Sequence, residues 1–169
     1  NGDESSLTVS NSEIYGLAEG LANVTDHNYH YGFFTTTYQD LVVENNTIDI
    51  GALLESNTYP IGVYVDGEVS GASATITGNT IVSSDTDANP TGIWIRSDTV
   101  PVVVERNFIE IQGSSSYGRG IQLQNVTDVL VANNMVVHTG GGGSFWAVDM
   151  LNAGASRIYN NTFVEDSGT

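Results

Sequence analysis

The chain has 169 residues, 40% hydrophobic and 14% charged, which suits one folded domain with a buried core and excludes a disordered acidic tail. Its 20 Asp and Glu against 4 Arg give a formal charge of -16, a surface that repels phosphate backbones and anionic membranes and so excludes nucleic-acid binding. The absence of cysteine excludes disulfides and thiolate metal sites.

No apolar run is long enough to span a bilayer, and no signal peptide is present, so no membrane insertion is expected. Asn1 in place of Met suggests a mature, processed or excised chain. With the acidic surface, this points to an extracellular or cell-surface protein.

In chain order, the first apolar phrase is Leu7–Val9, followed by Ser10-Asn11-Ser12-Glu13-Ile14. It is the loose first copy of a phrase that recurs as Asn46-Thr47-Ile48, Asn79-Thr80-Ile81, Asn107-Phe108-Ile109, Asn134-Met135-Val136 and Asn161-Thr162-Phe163. The asparagines are spaced by 33, 28, 27 and 27 residues, and each follows an apolar residue three places earlier (Val43, Ile76, Val104, Val131, Ile158). A second phrase keeps the same period: Gly32-Phe33-Phe34-Thr35, Gly62-Val63-Tyr64-Val65, Gly92-Ile93-Trp94-Ile95, Gly120-Ile121-Gln122-Leu123 and Ala147-Val148-Asp149-Met150.

A repeat of this length means that each copy is one unit that cannot bury its apolar face alone. Each period holds three short strands with period-two alternation: a glycine strand, a pre-asparagine strand and a post-asparagine strand. Stacking the copies puts Ile93, Ile95, Val102, Val104 and Ile109 against Ile121, Leu123, Val129, Val131 and Val136, around one aliphatic core. Residues 1–31 read as an irregular first coil, 32–164 as regular coils and 165–169 as a tail, all within one domain.

The asparagines 46, 79, 107, 134 and 161 are read as corner residues. Asn tolerates the left-handed region, and stacked asparagines can hydrogen-bond from coil to coil as a ladder. Insertions fall mainly before the glycine strand, at 16–31, 51–61, 84–91, 112–119 and 139–146.

Carried by the Asn-x-apolar corners and the Gly-apolar-x-apolar strands, the chain resembles the right-handed parallel β-helix family, the pectate-lyase-like or parallel β-helix repeat group. The resemblance covers residues 32–164 well and 7–31 poorly. It implies an all-β, single-stranded right-handed parallel β-helix of about six coils with three parallel sheets. This fold hosts lyases, hydrolases, adhesins and inert scaffolds alike.

In that family the outward face of the glycine strands is commonly a polysaccharide groove. Here that face reads Phe34, Tyr64, Trp94, Gln122 and Asp149, with Asp66 and Arg96 two places further along. The aromatic column resembles a sugar-binding surface; stacked aromatics also simply stabilise neighbouring strands. Family lyases need an Arg base near calcium-holding carboxylates, but an Arg96 paired with Asp66 is held protonated, as in a salt bridge. The grouped Asp residues and His of family hydrolases are missing, and none of His27, His30 and His138 has a placed carboxylate partner. No family catalytic residue carries over.

Asp85-x-Asp87-x-Asn89 has the alternating oxygen spacing of a Ca²⁺ loop, although Pro90 follows where such loops continue. A solvated acidic turn is the competing reading. Asn23, Asn45, Asn125 and Asn160 head N-x-S/T patterns for glycosylation. The outward positions of the other strands include Val42, Val103, Leu130, Val82, Val137 and Val164, an apolar stripe that suggests a partner surface.

The chain opens within one strand and stops just after another, so its ends need flanking domains or other copies stacked head to tail. The leading expectation is therefore a non-catalytic extracellular structural module able to self-assemble end to end into filaments. The alternative is a polysaccharide-binding or polysaccharide-degrading β-helix domain.

Overall fold

A computed structural model describes residues 6–15, 29–35, 40–51, 59–66, 73–84, 89–96, 101–113, 117–140 and 143–166. The described chain is all-β and winds through three sheets, A, B and C, in a fixed order. The first coil is β1 (Leu7–Ser10), β2 (Glu13–Tyr15) and β3 (Tyr29–Thr35). Next come β4 (Asp40–Glu44), β5 (Thr47–Asp49) and β6 (Tyr59–Asp66), then β7 (Ser73–Thr77), β8 (Thr80–Ser83) and β9 (Thr91–Arg96). The fourth coil is β10 (Val102–Glu105), β11 (Phe108–Gln112) and β12 (Tyr117–Gln124), and the fifth is β13 (Val129–Ala132), β14 (Met135–Thr139) and β15 (Ser144–Leu151). The described strands end with β16 (Arg157–Tyr159) in sheet A and β17 (Thr162–Asp166) in sheet B.

Sheet A runs β1-β4-β7-β10-β13-β16, sheet B β2-β5-β8-β11-β14-β17, and sheet C β3-β6-β9-β12-β15. The pairs are parallel throughout, which makes the molecule a parallel β-solenoid. The coil count departs slightly from the expected six: among the described residues sheet C has one strand fewer than sheets A and B. Two of the strands, β1 and β2, lie in the supposedly irregular first coil and pair in register with β4 and β5.

The core follows from stacking like on like. One inward row is Val9, Val43, Ile76, Val104, Val131 and Ile158 in sheet A; another is Ile14, Ile48, Ile81, Ile109, Val136 and Phe163 in sheet B. Sheet C adds Phe33, Val63, Ile93, Ile121 and Val148. From Val43 to Val131 and from Ile48 to Val136 these side chains are fully buried. Parallel sheets covered on the core side favour such β-branched runs.

The corner between sheets A and B differs from the sequence reading in one respect. The left-handed residue is not the repeat asparagine but the one before it: Asn11, Asn45, Gly78, Arg106, Asn133 and Asn160, with φ between 50° and 66°. This turn redirects the chain, and the next residue then points inward. There the Asn46, Asn79, Asn107 and Asn134 side chains are buried and form the expected ladder. Each backbone N–H and each Nδ2 donates to the Oδ1 of the following rung at 2.9–3.1 Å. Each Nδ2 also donates back to a carbonyl of the coil before, as from Asn107 to Ile76 O at 2.9 Å. A buried amide is tolerated here because its hydrogen-bonding groups are used.

The glycine row fixes the other close approach. A methyl on Gly32, Gly62, Gly92 or Gly120 would lie 2.4–2.5 Å from a γ-carbon of Ile48, Ile81, Ile109 or Val136, and 2.6–2.7 Å from the next coil's carbonyl oxygen. Only a residue without Cβ fits there.

Candidate functional site

Sheet C carries the outward residues singled out in the sequence. Its strands start upstream of the glycine, at Tyr59, Tyr117 and Ser144, so residues assigned above to insertions belong to the sheet. Side chains before and after the glycine meet on one outward face, as Tyr31 meets Phe34 and Arg119 meets Asp149.

Phe34, Tyr64, Trp94, Gln122 and Asp149 occupy successive strands in one row, and Asp66, Arg96, Gln124 and Leu151 occupy another. Tyr31 and Phe34 each stack on Tyr64, with ring centroids at 5.3 and 5.4 Å, while Trp94 is tilted against it at 4.9 Å. Tyr64, although on the outward side, is only 5% exposed, and Gln122 is likewise buried. The Tyr64 hydroxyl donates to Asp66 Oδ2 at 2.9 Å, and Arg96 Nη1 lies 3.8 Å from that same oxygen. Burial pushes the Tyr64 phenol up to about 12; the bond to Asp66 adds to the shift and Arg96 opposes it. The salt-bridge reading of Arg96 therefore fits the geometry. Tyr64 has ring neighbours from the coils on either side, and Phe34, half exposed, stacks on Tyr31 at 4.9 Å as well as on Tyr64.

A second cluster lies further along the sheet, and the sequence reading missed most of it. Arg119 Nε donates to Asp149 Oδ2 at 2.9 Å in a largely buried ion pair. The guanidinium sits 5.4 Å from the Trp146 ring centre and 6.0 Å from that of Tyr117, and the two rings stack at 5.6 Å. Tyr117, Arg119 and Trp146 precede the glycine row, so only the 27-residue alignment of Arg119 with Trp146 could have placed them on a strand.

Other expectations resolve as follows. Asp85 and Asp87 lie outside the described residues; Asn89 is buried, and its Oδ1 accepts the Tyr117 N–H at 2.9 Å. Among the described residues no group of three or more His, Asp or Glu side chains could hold a metal ion. Asn23 lies outside the described residues, while Asn45, Asn125 and Asn160 sit exposed at left-handed corners with φ of 52–54°. The Asn125 Oδ1 accepts from Asn152 Nδ2 at 3.1 Å.

The reading of His138 needs correction. It belongs to β14 rather than following it, is buried in the inward row below Ile111, and has Glu165 of the next coil 3.9 Å from its Nδ1. Its ring lies flat on Phe145 at 4.4 Å, and neither nitrogen has a hydrogen-bond partner. The carboxylate was invisible locally because it comes from one period later.

Outward apolar side chains on sheets A and B, including Val42, Val103, Leu130, Val82 and Val137, are half-buried. The last coil differs. Ile158 is 40% and Phe163 48% exposed, where Val131 and Val136 in the same rows are sealed. No helix among the described residues is long and apolar enough to cross a membrane. Comparison with protein-family models, with curated proteins and with solved structures finds no match to this chain.

Proposed function

We propose that the chain is a non-catalytic structural or surface module of the extracellular parallel β-helix type, related to the pectate-lyase-like group by its repeat. One observation carries this reading: the chemically capable side chains of sheet C are engaged with one another. Tyr64 is sandwiched between rings, Asp66 accepts the Tyr64 hydrogen bond and faces the Arg96 charge, and Arg119 is held by Asp149. Groups locked in such pairs stiffen a column. A nucleophile or general base needs a free lone pair, and a guanidinium held beside a carboxylate stays protonated. The purified chain, assayed with and without Ca²⁺ across acidic and neutral polysaccharides, is expected to give neither cleavage nor binding. Turnover of any polymer would sink the proposal.

A second reading, polysaccharide binding, draws support from Trp146. Trp146 is 38% exposed, its ring meets Arg119 and stacks on Tyr117, and Arg119 in turn holds the Asp149 carboxylate, the mixture of aromatic face and polar groups that takes a sugar ring. Retention on a glycan array that disappears in Trp146→Ala would move the assignment to this reading.

A further inference from the structure

We infer that Asn45 and Asn125 are attachment sites for N-linked glycans, carried on the left-handed corners of the solenoid. The inference rests on the extracellular reading above and goes beyond it in naming a modification and its two acceptors.

The fold divides its asparagines into two kinds. A ladder asparagine has no hydrogen to give up: Asn107 Nδ2 donates to Asn134 Oδ1 at 3.0 Å and to the Ile76 carbonyl at 2.9 Å, from a buried position. The corner asparagines stand the other way. Asn45 is exposed, and its side chain has no hydrogen bond to another described residue. Asn125 is exposed as well and uses its Oδ1, which accepts from Asn152, while its Nδ2 donates to no described residue.

Sequence and backbone coincide at these corners. Within the described residues, each Asn-x-Thr pattern with x other than Pro starts on a left-handed residue: Asn45, Asn125 and Asn160. In Asn45-Asn46-Thr47 and Asn125-Val126-Thr127 the middle residue is buried and the outer two are exposed. The acceptor amide and the threonine that a transferase reads with it therefore both reach solvent, as a bulky surface modification requires. Room is also present along the corner column. A methyl on Gly78 would lie 2.5 Å from Asn45 Oδ1, so the neighbouring coil sets no side chain against the Asn45 amide there.

Asn11, Asn133 and Asn152 are built-in controls. They too are exposed and left-handed, but Glu13, Met135 and Gly154 stand where the hydroxyl is needed.

The co-reactant is an oligosaccharide carried on a lipid diphosphate. Nδ2 attacks its anomeric carbon, and a bond forms between the two. The bond from that carbon to the diphosphate oxygen breaks, the diphosphate leaves with the electron pair, and a base on the transferase takes one Nδ2 proton. The product amide keeps a single N–H. That suffices at an outward corner, whereas Asn107 in the ladder uses two.

The test passes the full chain through the secretory pathway of a eukaryotic host. Intact mass and peptide mapping are read before and after peptide N-glycosidase, which marks each occupied asparagine by converting it to aspartate. The mass should start above 18.0 kDa and fall on treatment, with Asn45 and Asn125 both marked. Thr47→Val and Thr127→Val should each remove one glycan, and Met135→Thr should add one at Asn133. Circular dichroism should give the same β spectrum before and after glycan removal, because the outward corners lie off the core. Translation into microsomes that hold the lipid-linked donor reads the same acceptors without export.

A chain with neither asparagine modified overturns the inference, and one modified alone overturns it for the other corner. Loss of β structure in the glycosylated chain, or no gain of a glycan in Met135→Thr, overturns the corner geometry as its basis. Polysaccharide turnover by a glycosylated chain would instead overturn the non-catalytic reading alone.

Discussion

The carbonyl oxygen of Gly120 lies 2.7 Å from the point that a methyl group on Gly92 would occupy, and a γ-carbon of Ile109 lies 2.4 Å from it. Neither neighbour is a loose side-chain end: one is backbone in a paired strand and the other is sealed in the core. Gly92→Ala should therefore force apart coils three and four and destabilise the fold by about 2–4 kcal/mol, at or above the usual range for overpacking. Ala147→Gly, in the same row but in the last described strand of sheet C, should change stability by less than about 1 kcal/mol. Urea denaturation of the two variants, followed by circular dichroism, checks the contrast.

Removing one rung tests the ladder. Asn107→Ala takes away the acceptor of two bonds from Asn79 and the donor of bonds to Asn134 and the Ile76 carbonyl. It leaves a backbone N–H buried and unmet, at an expected cost of about 3–5 kcal/mol in all. Asn107→Ser should recover part of this, because Ser12 already occupies the rung position in the first coil. Amide exchange should report the loss first at Asn79, whose N–H is the one stranded.

His138→Leu makes the opposite prediction. The imidazole packs flat on Phe145, under Ile111, with no hydrogen bond at either nitrogen and the exposed Glu165 carboxylate 3.9 Å from Nδ1. Replacing a buried group that makes no hydrogen bonds by an aliphatic one of similar size should be neutral or stabilise by about 1–2 kcal/mol. A loss of several kcal/mol in thermal denaturation would show that the ring has a partner in solution.

Alkaline pH should act through Tyr64. Its phenol ionises at about 12 in the fold against 10.0 when free, because burial and the bond to Asp66 favour the neutral form. The associated stability is whole below pH 10.0 and is lost as pH rises from there towards 12. Across that window the unmodified chain should lose up to about 2 kcal/mol more than Tyr64→Phe. Tyr15, raised by its hydrogen bond to Glu13, is common to both proteins and cancels in the comparison.

The fold was legible because two unrelated phrases kept one period, and stacking identical positions leaves little choice about which side chains share a row. The candidate site was legible only in part. Phe34, Tyr64 and Trp94 could be aligned by their distance from a glycine, but Arg119 and Trp146 precede that glycine, where nothing in the sequence separates strand from loop. The corner was half right: Asn133 and Asn134 are adjacent and chemically identical, and only backbone geometry shows that the first turns the chain while the second carries the ladder.

The sequence by itself determined the period, the three strands per coil, the inward rows and the ladder, since each follows from local alternation repeated at a constant interval. Tertiary structure decided what the outward side chains do. Residues a whole coil apart meet there, so whether Tyr64 offers a ring face or buries it, whether Asp149 is free or holds Arg119, and whether His138 has a carboxylate neighbour depend on contacts between coils.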